Sequence, residues 1–186
     1  TILILILGFS AGQLVWKERD FRIHEITDAT KVSTTQFLCS KLLVLVLLIL
    51  TVQLILLVTG LAYESIFSSS PIDWLFLSIR YPDQFLYYFL FVSLSIIIHV
   101  HINQKYLGNL LLAFFCFFSQ VPSLFGIENK LLIFASSTGL SPSDFSSDRF
   151  FLIPWALYKL YWIGICVLLL TLTQIKSDRD ALASLY

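Results

Sequence analysis

The sequence has no methionine and little charge. Only 13% of its 186 residues are Asp, Glu, Lys or Arg, about half the share of a soluble domain, and long stretches have none. A soluble globular chain is thereby excluded. Formal net charge is zero, so the basic surplus that recruits nucleic acid is missing and no nucleic-acid partner is expected. The three cysteines, Cys39, Cys116 and Cys166, are odd in number, lack paired spacing and lie in or beside apolar runs. They read as small apolar packers, not as a disulfide or zinc set. No G-x-x-x-x-G-K-[ST] phosphate loop occurs, so this chain is expected neither to bind nor to hydrolyse ATP. His24-Glu25 opens like the zinc-peptidase HExxH, but Asp28 stands where the second His belongs, and the motif fails. No Ser-His-Asp or Cys-His set is apparent, and the polar/apolar alternation of a membrane β-barrel is absent.

What is present is apolar: 58% hydrophobic and 16% aromatic residues, with a mean hydropathy of +0.85. The expected class is all-α, a polytopic transmembrane helical bundle. Five spans are expected, at residues 1–16, 37–62, 84–102, 106–127 and 152–175, each helical because lipid offers no partner for backbone polar groups. The first would cover only about 24 Å at 1.5 Å per residue, short of a ~30 Å hydrocarbon core. The chain is therefore expected to be a fragment that starts within or just before its first helix. No basic region precedes that run, which argues against a signal peptide.

Lys and Arg in the connections set the orientation. Lys17, Arg19, Arg22, Lys31, Lys41, Lys105, Lys176 and Arg179 gather on one side, and Arg80, Lys130 and Arg149 on the other. Residues 17–36, the turn near residue 105 and the tail at 176–186 are thus expected in the cytosol. The connections 63–83 and 128–151 face out. In the first of these, Ser70 as N-cap, Pro71 and Asp73 suggest a short helix. Pro122 is expected to kink the fourth span near its outer end.

Charge concentrates in VWKERDFRIHEITDATKVST, residues 15–34, which holds eight charged residues of a chain with 12 basic and 12 acidic ones. At ~2.5–3.5 kcal/mol per charge at mid-membrane, burying the belt would cost on the order of 20 kcal/mol, so it stays wet. Glu18–Arg22, Arg22–Glu25, His24–Asp28 and Asp28–Lys31 stand at helical pairing distances. This predicts a short ion-paired helix from Lys17 to about Ala29. A new helix follows, with Ser33 as N-cap, Gln36 completing a capping box and Val32 stapled to Phe37. One reading makes the belt a solvated connector. The other makes it a rigid handle through which a soluble partner moves two spans.

The stretch LVWKERDFRIHEITDATKVSTTQFLCSKLL resembles the ABC-2 class of ATP-binding-cassette transporter permeases. Glu18-Arg19-Asp20, Glu25, Asp28-Ala29-Thr30, Val32-Ser33 and Lys41 fill that family's places for a Glu-Arg pair, an acidic stretch, a turn and an opening Lys. Lys31 stands where the family has Pro, so the turn lacks a fixed φ. INQKYLGNLLL and SPSDFSSDRFFLIPWALYKLYW look similar to the same family, most like bacterial permeases, some of them fused to a metallopeptidase domain. The resemblance implies a six-span unit, of which five spans lie here, with an outer re-entrant or surface helical element before the last. It makes the belt a coupling helix, with Lys17, Glu18, Arg19, Asp20, Arg22, Glu25 and Asp28 docking on a cytosolic ATPase subunit. ATP and Mg would be held by that subunit, with no cofactor and no enzymatic activity in this chain. A homodimer or a second permease half, membrane lipid and the bacterial inner (plasma) membrane complete the expectation.

Other residues have two readings each. Gly8 and Gly12 form a GxxxG that lets helices approach closely. Gln53, in mid-span, either hydrogen-bonds to another helix or meets substrate. Lys159 either snorkels or pairs with a loop acid such as Asp144 or Asp148, or else lines a pathway. Trp155, Tyr158, Tyr161 and Trp162 recur at helical spacing, and an interfacial anchor explains the outer ones better than a ligand cage. His99 and His101 point to different sides of a helix near its cytosolic end and are expected to be solvated. The function that unites these readings is a permease subunit of an ABC-2 exporter. The alternatives are an anchoring subunit, which needs no polar cavity, and an intramembrane enzyme, for which paired catalytic residues are lacking.

Overall fold

The computed structural model describes residues 2–20, 34–67, 74–102, 104–122, 126, 129–136 and 148–183. Among these the chain is all-helical: α1 (Ile2–Asp20), α2 (Thr34–Phe67), α3 (Trp74–His101), α4 (Lys105–Gln120) and α5 (Asp148–Ala183), with a 3-10 turn at Lys130–Leu132. Three stretches are long and apolar enough to cross a membrane: Cys39–Phe67 in α2, Leu77–His101 in α3 and Ile153–Ile175 in α5. The apolar part of α1, Ile2–Lys17, is shorter, and the 16 residues of α4 reach about 24 Å. The five expected segments are helices, but only three have the length and hydropathy of a span.

Element boundaries differ from expectation for local reasons. α1 does not stop at Trp16; it continues through residues 17–20, because no Gly or Pro stands there to end it. The first belt residues therefore extend α1 instead of opening a separate helix. Residues 21–33, with Arg22, Glu25, Asp28 and the expected cap at Ser33, lie outside the described residues. α3 runs unbroken through Pro82, so the short outer helix and the third span are one element. Pro82 removes one backbone donor and crowds the Ser78 carbonyl, but the packed helix tolerates it. The N-terminal signals at Ser70 and Pro71 fall outside the described residues. α4 ends at Gln120 and is not kinked by Pro122. The residue before a proline avoids helical geometry, and Val121 sits at φ −128, ψ 56. α5 carries Pro154 inside and runs past 175, to Ala183.

α3 is the central element, packed against all four other helices; α1 also meets α4 and α2, and α2 meets α5. The buried stripe of α1 is Ile4, Leu7, Ala11 and Val15, three or four residues apart as a helix face requires. Leu90, Phe91 and Ile96 of α3 fill the centre. α4 turns Gly108, Leu112, Cys116 and Ser119 inward. The outer faces are apolar as well: Leu43, Leu47, Leu50 and Leu54 of α2 and Leu160, Val167 and Leu168 of α5 are exposed. In water such a surface would aggregate, whereas in lipid it is the ordinary exterior.

Between α4 and α5 the chain turns back into the bundle. Asn129 starts the turn, its side-chain oxygen accepting from the Leu131 N–H at 3.0 Å and its carbonyl from the Leu132 N–H at 3.0 Å. Phe134 and Ala135 are then buried. The Phe134 ring meets Phe91, Phe115 and Trp162 edge-on at 5.1, 5.3 and 5.0 Å, a geometry aromatic pairs prefer. Ser119 of α4 donates to the Phe134 carbonyl at 3.2 Å. This plug closes the end of the bundle opposite the belt.

Candidate functional site

Two polar clusters lie inside this apolar frame, one at each end. At the plugged end, Lys159 of α5 is 3% exposed, and its Nζ lies 2.8 Å from Oδ1 of Asp83 in α3. Trp155, one turn earlier on α5, donates its indole N–H to the same Oδ1 at 2.7 Å. An ammonium this deeply buried costs several kcal/mol unless paired and hydrogen-bonded. Among the described residues its partner is Asp83; Asp144 lies outside them, and nothing of the Asp148 side chain is described. Because α3 continues on the N-terminal side of residue 84, Asp83 is a helical residue facing α5. Trp155, expected as an interfacial anchor, holds this carboxylate.

Beside the pair opens a cavity of about 430 Å³. Arg80, Asp83, Gln84 and Tyr87 line it from one face of α3, and Ser119 and Gln120 from α4. The plug closes one side through Phe134 and Ser136, and Leu3 and Ile4 of α1 another. Gln120 donates its side-chain N–H to the Tyr87 hydroxyl. The cavity has hydrogen-bonding groups of both kinds and one ion pair on its wall.

Toward the belt end the second cluster centres on His99, which is fully buried and not solvated as its sequence position suggests. Its Nδ1 lies 2.8 Å from the Ser95 carbonyl oxygen and its Nε2 3.0 Å from the Asn109 side-chain oxygen Oδ1. The Ser95 hydroxyl donates to the Gly8 carbonyl at 2.6 Å, tying α3 to α1. The ring has room because two glycines flank it. A Cβ on Gly12 would lie 2.6 Å from Nε2, and one on Gly108 2.9 Å from Cδ2. A Cβ on Gly8 would lie 2.7 Å from Leu112 Cδ2. The GxxxG of α1 is thus the surface on which α3 and α4 approach. His101 is exposed.

Gln53, the buried polar residue in the middle of α2, donates to the Tyr81 carbonyl of α3 at 3.4 Å and lies against α3 rather than the cavity. Lys17 is exposed at the belt end of α1. Glu18, Arg19 and Asp20 belong to the same helix, their side chains outside what the structure describes. Cys39 is exposed, and Cys116 and Cys166 are buried free thiols. Among the described residues no three His, Cys, Asp or Glu side chains come together as a metal site.

No motif marks Asp83, Tyr87 or Asn109 in the sequence, and Arg80 stands out there only as a charge of the outer side. One signal was available: Arg80, Asp83, Gln84 and Tyr87 are spaced as one helix face, but only once α3 is taken to begin before residue 80. No family model, curated protein or solved structure matches the chain.

Proposed function

We propose that the chain is a membrane-spanning permease part of an ABC-2 type exporter, coupling ATP hydrolysis by a separate subunit to movement of a substrate. The belt carries this reading: a dense run of charge, in the order that family uses, between two apolar helices. Its cost in hydrocarbon keeps it at the surface, where an ATPase has access to it. The helical continuity of α1 supports the handle. A force on residues 17–20 acts on the same rigid helix whose Gly8 and Gly12 seat α3 and α4.

In this reading the belt faces the cytosol of a bacterial cell, and the five helices are five of six spans. ATP and Mg stay on the partner, and a second permease half or a second copy completes the path. The polar cavity at the far end supports a path over an anchoring subunit, which has no need of one.

The test is charge reversal in the belt. With Arg19→Glu and Arg22→Glu together, the amount of P-loop ATPase co-purifying with the tagged protein is expected to fall about tenfold, the equivalent of about 1.4 kcal/mol. The melting temperature of the purified bundle stays put. Undiminished ATPase recovery would contradict the handle.

A further inference from the structure

We infer that the cavity at the plugged end is a binding site for a phosphate-bearing anion, held by Arg80 and Lys159, with an acidic lipid headgroup as its natural occupant. Charge balance comes first. An ammonium has three N–H donors; Lys159 gives one contact to Asp83 Oδ1, and that oxygen also takes the Trp155 indole. Among the described residues Lys159 has no other hydrogen-bond partner, although it is almost wholly buried and on the cavity wall. Arg80, one turn before Asp83, lines the same cavity with no acid paired to it among the described residues. Among the described residues, two cations and one carboxylate leave the wall one positive charge in excess, with Arg80 at its exposed edge. A guanidinium and an ammonium lining one cavity can together hold phosphate oxygens, bidentate from Arg and as a point charge from Lys.

Depth and surroundings favour a headgroup. Lys159 stands six residues past Ile153, where the span-length stretch of α5 begins. That is about 9 Å along the helix, within snorkelling reach of the interface. The rim includes Leu3 and Ile4 of α1. Their neighbours Ile2 and Ile6, and Leu157 and Leu160 beside Lys159, are exposed apolar side chains. A phosphate in the cavity leaves acyl chains lying along that surface. At the far wall Gln120 keeps one side-chain N–H beyond the one given to Tyr87, a further donor to a polar headgroup. The site depends on these walls and not on the belt, so it does not rest on the transporter reading.

The experiment is native mass spectrometry of the full chain in detergent. It is titrated with phosphatidylglycerol, with phosphatidylcholine and, as competitor, with inorganic phosphate. Phosphatidylglycerol is expected to be retained over phosphatidylcholine, and Arg80→Gln to weaken its retention about tenfold, as loss of one charged hydrogen-bonding group does. Lys159→Gln alone leaves Asp83 without its cation, so the second variant is the neutral pair Asp83→Asn with Lys159→Gln, which is also expected to lose the preference. Displacement by inorganic phosphate would assign the site to the free anion as well; resistance to it would assign it to the lipid alone. Equal retention of the two lipids with no phosphate competition, or wild-type retention in both variants, would overturn the proposal. Either result leaves the belt prediction untouched.

Discussion

Asp83→Asn is expected to destabilise the bundle by about 3–5 kcal/mol, the cost of leaving a buried charge without its partner. The substitution isolates the charge. Asparagine keeps an oxygen for the Trp155 indole, which lies 2.7 Å from Oδ1, and it keeps the volume. What is lost is the countercharge 2.8 Å from Lys159 Nζ. Adding Lys159→Met should restore most of the stability, because a buried ion pair exchanged for neutral groups is often close to neutral in energy. Denaturation of the four proteins in detergent by sodium dodecyl sulfate gives the full cycle. If Asp83→Asn unfolds where the wild type does, the pair has no structural weight and Lys159 reaches water another way.

Gly12→Ala is expected to cost about 1–3 kcal/mol, as overpacking does. The added Cβ would lie 2.6 Å from His99 Nε2. The ring has no easy retreat, because Ser95 and Asn109 hold its two nitrogens and Gly108 closes the other side. Gly60→Ala and Gly164→Ala are the controls. Nothing lies within 4 Å of a Cβ at either, and both are helical, so alanine should add about 0.5–1 kcal/mol of stability. His99→Ala combined with Gly12→Ala should cost less than the sum of the two single changes. Strict additivity would mean that the glycine seat and the imidazole do not meet.

These two sites mark how far the sequence is legible. Apolar runs without charge predict helices in lipid, and α2, α3 and α5 are of span length within those runs. Gly8 and Gly12 are readable as a packing surface because small residues four apart on an apolar helix leave a groove. What that groove receives was not readable. His99 lies 87 residues beyond Gly12 and near a helix end, and a histidine there looks solvated until α1 and α4 are known to cover it.

Asp83 was misplaced for a different reason. Arg80, Pro82 and Asp83 together look like a connection, since each is costly or disruptive in a span. In the folded chain the costs offset one another: Lys159 neutralises Asp83, and packing against α2 and α5 holds the helix through Pro82. Such compensation needs the tertiary partner, and local pattern does not contain it. The outer plug is similar. Its residues look like the apolar piece of a loop, and only the ring of Phe91, Phe115 and Trp162 gives Phe134 a place to go.

The sidedness of the belt is the claim on which the transport reading depends most. In a background with Cys39, Cys116 and Cys166 replaced, Arg19→Cys supplies a single thiol at the end of α1. A membrane-impermeant maleimide applied to intact cells should leave it unmodified, and should label it fully once the membrane is permeabilised. Full labelling in intact cells would place the belt outside, beyond the reach of any cytosolic ATPase, and would contradict the account.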